Sequence, residues 1–272
     1  MSYALKTYRL LNSLSIDVAA GAVVCAIFLA EILRSQPGSP ALIMLGLTVW
    51  IIYSADHLLD ARRIETEAAT HRHNFYQRHF GILVAVTGLA AVADIFLAMR
   101  IRPAVFQAGL ILAAPVAIYL AAQRFFVSVK ELLGAILYTA GVLLPAYVFM
   151  GERPVTTTQV TFVAAFFFIA WANLLLFSYF DCESDMKNAQ TSFATRWGQQ
   201  ATRRVIFVLV TIGLGLSVYL SITTNPLHAL VLLVMNLVLL MLMCYPAFFS
   251  RSDRFRMVGD SIFLIPLVAV LA

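Results

Sequence analysis

Only 14 of the 272 residues are acidic, and five of them fall in two short stretches, Asp56-His-Leu-Leu-Asp60 and Asp181-Cys-Glu-Ser-Asp185. A spacing of four places Asp56 with Asp60, and Asp181 with Asp185, on one face of a helix. Both pairs come at the C-terminal end of an apolar run, where the helix dipole already carries negative charge and like charges four apart repel. Two matched pairs in so unfavourable a setting call for a cation. Arg62, Arg63 and Lys187 could serve as counter-ions, but the repetition of the pattern favours divalent metal. Mg²⁺ takes oxygen ligands, uses one or two carboxylates, and completes its octahedron with water and substrate phosphates. Paired carboxylates ringed by Arg and Lys therefore describe a site for magnesium diphosphate.

The elements that must carry these pairs are membrane helices. The chain is 61% hydrophobic and 12% charged, about half the charged fraction of a soluble globular protein. Soluble enzymes, nucleic-acid binders and disordered scaffolds are excluded on that ground. Three widely separated cysteines, Cys25, Cys182 and Cys244, exclude a disulfide-built secreted domain. Nine apolar runs approach the roughly 20 residues needed to cross a bilayer: 16–33, 41–58, 82–99, 104–121, 132–150, 160–180, 205–221, 227–249 and 257–272. Breakers such as Gln36-Pro-Gly-Ser-Pro40, Arg102-Pro103, Gly151-Glu-Arg-Pro154 and Thr223-Thr-Asn-Pro226 separate them. Continuous runs rather than short alternating ones exclude a β-barrel. Asp17, early in the first run, and the lack of a small-residue cleavage site argue against a removable signal peptide.

The net charge of +5 is unevenly spread. Segments on the N-terminal side of the membrane hold 15 Lys and Arg; those on the other side hold Arg34, Arg100, Arg102 and Arg153. The positive-inside rule puts the N-terminus in the cytoplasm and, with nine spans, the C-terminus outside. Two long cytoplasmic connections, 59–81 and 181–204, then follow the second and sixth helices, on the face where a site would be built. No linker divides the chain, so residues 1–272 are expected to form one domain. Asp17, Asp94, Glu131 and Asp260 read as hydrogen-bonded bundle residues. His71, His73 and His79 read as part of a solvated basic loop or as phosphate contacts.

These residues resemble the UbiA superfamily of intramembrane prenyltransferases. The resemblance spans nearly the whole chain. Asp181-Cys-Glu-Ser-Asp-Met-Lys-Asn-Ala-Gln-Thr-Ser-Phe-Ala-Thr-Arg-Trp-Gly198 is similar to the family's Asp-x-Glu-x-Asp-x-Lys-x-Gly-x-x-Ser/Thr-x-x-x-Arg-x-Gly, with Ala189 in place of the first Gly. Tyr119-Leu-Ala-Ala-Gln-Arg124, followed by Gly134, resembles the family's Tyr-x-x-x-Lys-Arg, with Gln123 replacing Lys. The first motif departs from Asn-Asp-x-x-Asp-x-x-x-Asp. Either Ile52-Tyr53 replaces its Asn-Asp, or Asp56-His57 does and Ile64 replaces the last acid; helix length favours the second register. One ligand position is lost or altered in both.

The resemblance implies transfer of a prenyl group from an isoprenyl diphosphate to an aromatic or lipid acceptor, with Mg²⁺ as cofactor. Asp56, Asp60, Asp181 and Asp185 would be the catalytic metal ligands. Arg72, Tyr119, Arg124 and Lys187 would bind the substrate, and Tyr53, Tyr138 and Tyr179 could line the cavity that shields a carbocation. The site would face the cytoplasm from the cell (inner) membrane. Two rivals use the same residues: a terpene cyclase on the same fold, and a lipid-binding or transport protein without catalysis. No nucleic-acid partner is expected.

Overall fold

The computed structural model describes residues 8, 10–63, 71–122, 125–126, 128–188, 190–224 and 226–272. Among these the chain is helical, with no strand. The long helices are α1 (Ile16–Ile32), α2 (Ser39–Arg63), α4 (Phe80–Ala98), α5 (Pro103–Ala122), α6 (Lys130–Met150), α7 (Thr157–Lys187), α9 (Gln199–Thr223) and α10 (Pro226–Cys244). Short helices α3 (His71–Arg78), α8 (Phe193–Trp197), α11 (Pro246–Phe249), α12 (Arg254–Ser261) and α13 (Leu267–Val270) fill connections and the C-terminal segment.

Among the described residues, seven helices are long and apolar enough to cross a membrane. Of the other two expected spans, the run 16–33 forms one helix, α1, of 17 residues, and the run 257–272 does not. α12 gives way to a 3₁₀ turn at Ile262–Leu264, and Pro266 precedes α13. The run 227–249 also breaks, at Tyr245, before α11. Pro115 and Pro145, by contrast, lie inside α5 and α6; neighbouring groups in a bundle can absorb such prolines. The two long connections are themselves partly helical, holding α3 and α8.

α7 forms the centre of the bundle and packs against α6, α9 and α10. Its N-terminal end begins with a capping box. The Thr156 hydroxyl accepts from the Gln159 N–H (3.3 Å), and the Gln159 carboxamide accepts from the Thr156 N–H (3.0 Å). Gln159 also donates to the Ile32 carbonyl at the end of α1 (3.1 Å). Small residues let the helices close in. At Gly213 in α9, a Cβ would fall 2.4 Å from Asn236 Oδ1 of α10. Such close approaches carry helix association in lipid, where no hydrophobic force acts between helices. α4 and α5 are different. They bury few side chains, and Ile82, Leu89, Ile95, Ile111 and Ile118 are exposed, an outward face suited to acyl chains.

Candidate active site

The acid-bearing helices run on past their apolar stretches. α2 continues to Arg63 and α7 to Lys187, so each carboxylate pair rides on a formed helix rather than in a loop. A cavity of about 550 Å³ lies between α2, α5, α6, α7 and α12. Asp56, Asp60, Asp181 and Asp185 all line it, as does Tyr119. Tyr119 fits because Gly134 of α6 has no side chain; a Cβ there would stand 3.3 Å from the phenol oxygen. Beside them are Lys130, Glu131, Ser192, Arg256 and Asp260. From this polar end the cavity continues as an apolar groove, along Thr48, Leu45 and Ala41 of α2 and past Gly109 of α5 and Gly141 of α6. Asp60 and Ala41 are separated by 19 residues of one helix, about 28 Å along its axis.

The second pair is firmly held. Arg256 of α12 donates to the Asp181 carboxylate in an ion pair. Ser192 lines the cavity with Asp185, and its hydroxyl caps α8 by accepting from Thr195 N–H (3.4 Å). Buried Glu131 accepts from the Phe193 N–H (2.8 Å), and Ser178 accepts from the Ala194 N–H (2.9 Å). The connection after α7 is thereby folded back over the cavity mouth.

A second polar cluster closes the wall behind Asp260. The Asn12 amide donates to both Asp17 and Asp260, each at 2.7 Å. The Tyr8 hydroxyl donates to the Met257 carbonyl (2.9 Å) and lies 3.3 Å from Asp17. Burial first, then the carboxylates of Asp17 and Asp260, push the Tyr8 phenol well above its ordinary range, so it remains a donor. Asp94, as expected of a bundle residue, accepts from Thr48 (2.7 Å).

The remaining expected site residues divide. Lys187 does not reach the cavity. Two residues beyond Asp185 the helix has turned about 200°, and its exposed amine pairs with Glu183 at 2.8 Å instead. Arg72 falls on α3, and its side chain, like the whole of Arg124, lies outside the described residues. Two cations the motif reading missed, Lys130 and Arg256, line the cavity in the described structure. Lys130 could have been suspected from its place at the start of α6. Arg256 enters the sequence reading only within the count of Lys and Arg on the N-terminal side; its spacing of four from Asp260 is the one local signal.

Hard oxygen donors paired on each wall fit Mg²⁺ chemically. Among the described residues, no three His, Cys, Asp or Glu converge on one point. The protein thus offers no closed cage; it presents carboxylates to an ion that would keep water or phosphate ligands, which is how Mg²⁺ is commonly held.

No protein-family model matches the chain, and no curated protein does. Solved structures do. The apo structure of a UbiA homologue from Aeropyrum pernix K1 superposes with a TM-score of 0.68 at 13% identity, covering 94% of this chain and 99% of that one. The chain has the UbiA fold. A UbiA homologue from Archaeoglobus fulgidus, bound to geranyl diphosphate (GPP) and Mg²⁺, shares this fold with a TM-score of 0.62 at 13% identity, covering 96% and 100% of the two chains. A digeranylgeranylglyceryl phosphate synthase shares it with a TM-score of 0.56 at 13% identity, covering 98% of each. The matches span nearly all of both chains.

Proposed function

We propose that the protein is a Mg²⁺-dependent intramembrane prenyltransferase that moves a prenyl group from an isoprenyl diphosphate to an aromatic or lipid acceptor. One observation carries this reading: a single cavity, running about 28 Å along α2, has four carboxylates from two helices at one end and an apolar groove at the other. A diphosphate head and a hydrocarbon tail need such a pair of environments. The fold shared with a homologue bound to geranyl diphosphate and Mg²⁺ supports it. The excess of Lys and Arg on the N-terminal side supports a cytoplasmic mouth.

Asp56, Asp60, Asp181 and Asp185 would hold the metal, which when bound supplies Lewis-acid neutralisation of the diphosphate oxygens. Lys130 adds charge at the same end. The bond from the prenyl C1 to oxygen breaks, and its electron pair leaves with diphosphate. The allylic cation left behind lies beside Tyr53, Tyr119 and Tyr138, whose ring faces stabilise positive charge. The walls that α2, α5, α6 and α7 contribute would limit the access of water to it. The acceptor then bonds to C1 and gives up a proton.

The groove also sets a tail size. A cavity of 150 Å³ holds one benzene, roughly 25 Å³ per carbon, so the 550 Å³ here, which must also take the diphosphate, limits the tail to at most about 20 carbons. The test is pyrophosphate release in lipid nanodiscs with allylic diphosphates of increasing length, with and without a membrane extract as acceptor source. Release that needs Mg²⁺ and extract is the expected result. Release without extract would mark a cyclase, and binding without release would mark a carrier.

A further inference from the structure

Arg256 is the residue that the motifs do not account for. Its guanidinium pairs with Asp181 and lies 5.4 Å from the ring centres of both Phe177 and Phe255. Phe255 in turn stacks on Phe180 at 4.5 Å. One turn along α12, Gly259 brings the helix against α7: a Cβ there would fall 2.6 Å from the Phe177 ring and 2.9 Å from Asn173 Oδ1. The base of the arginine is thus fixed, while its side chain reaches into the cavity.

The charge around it is one-sided. Asp56, Asp60, Glu131, Asp181, Asp185 and Asp260 line the cavity, and among the described residues only Lys130 and Arg256 oppose them as cations. Divalent metal would offset this field for an entering diphosphate, and Lys130 and Arg256 are the cations that the described walls place to meet it. Asp181 cannot give its carboxylate fully to a metal while it accepts from Arg256. A guanidinium, however, binds phosphate as readily as carboxylate, with the same two-pronged geometry.

We propose that Arg256 is an exchangeable cation of the diphosphate site: it neutralises Asp181 until the metal–diphosphate complex arrives, then passes to the phosphate oxygens as the metal takes Asp181. This rests on the prenyl diphosphate reading above. The exchange keeps Asp181 compensated at each stage, which matters because an unpaired buried charge is costly. A strut that merely joined α12 to α7 would behave differently, since its loss would loosen metal and phosphate sites together.

The test uses Mn²⁺ and inorganic pyrophosphate as probes on the full chain in nanodiscs, with bound Mn²⁺ read by electron paramagnetic resonance. Without pyrophosphate, Arg256→Gln should bind Mn²⁺ at least about tenfold more tightly than the parent, because Asp181 is released. With Mn²⁺ saturating, the same variant should bind pyrophosphate at least about tenfold more weakly, the scale of one charge-assisted hydrogen bond. Arg256→Lys keeps the charge and should recover part of the pyrophosphate affinity, and it serves alone if the Gln variant does not fold: its pyrophosphate affinity then falls several-fold while Mn²⁺ binding holds or tightens. Two affinities that fall together, or that do not move, overturn the exchange. If the parent itself binds no pyrophosphate with Mn²⁺, the prenyl diphosphate reading falls and the exchange with it; if the parent binds and the variants match it, only the exchange falls.

Discussion

The two acid-bearing helices share a spacing but not a setting. α7 is the best-buried of the seven helices able to span a membrane, and its pair is gripped by Arg256, flanked by Ser192 and overlain by a connection that Glu131 and Ser178 hold in place. α2 is less than half as buried across its span and faces thin-walled α4 on one side and the cavity on the other. His57, between its two acids, packs edge-on against Tyr53 and Tyr76 and meets the Ser15 hydroxyl at 3.2 Å. The contrast follows the motifs: the sequence around Asp181 is in register with the family pattern, and the sequence around Asp56 is not. Positions set by many contacts are preorganised for charge, and preorganisation is what makes an electrostatic group effective.

The sharpest break in this comparison comes from Asp185→Asn. It should lower pyrophosphate release by at least about 100-fold, the scale for removing one preorganised contact from a water-poor site, with the fold intact by thermal unfolding in detergent. Asp56→Asn should cost less, on the order of tenfold, because its helix is less buried and holds its carboxylate less rigidly. Equal losses in the two variants would show that the helices contribute alike. Gly141→Leu probes the apolar half. Gly141 lies ten residues from Glu131 along α6, about 15 Å, and a Cβ there would have only Leu112 nearby, at 3.9 Å. An isoprene unit of four backbone bonds spans ~5 Å, so the variant should lose turnover of a C20 diphosphate and keep that of C10. Unchanged chain-length preference would place the tail elsewhere. The smallest effect is expected from Gly259→Ala, where the new Cβ presses on Phe177: a stability loss of about 1–3 kcal/mol, seen as a lowered unfolding temperature, with Arg256 displaced and pyrophosphate affinity reduced several-fold.

Much of the fold was legible because membrane helices announce themselves through local composition. The runs containing 82–99, 132–150 and 160–180 match α4, α6 and α7 to within a few residues at most boundaries, apart from the extension of α7 to Lys187. The failures have physical causes. The run 257–272 is apolar enough to span, yet Pro266 and the close packing of the Phe263 Cβ against Gly21, where a Cβ would sit 2.9 Å away, accompany its break. Lys187 lies in register with the family motif, but a helix projects residues 185 and 187 in nearly opposite directions, and only the placement of α7 decides which of them meets the cavity.

By itself the sequence determined the helical membrane architecture, the two carboxylate pairs and the chemistry of their ligand type, since each depends on residues within one helix. The tertiary structure decided which residues from different helices share a space. It put Asp56, Asp181, Lys130 and Arg256 around one cavity though they lie up to 200 residues apart, and it left Lys187 outside. Coulomb interaction depends on distance through space, and that distance was set when α12 packed against α7.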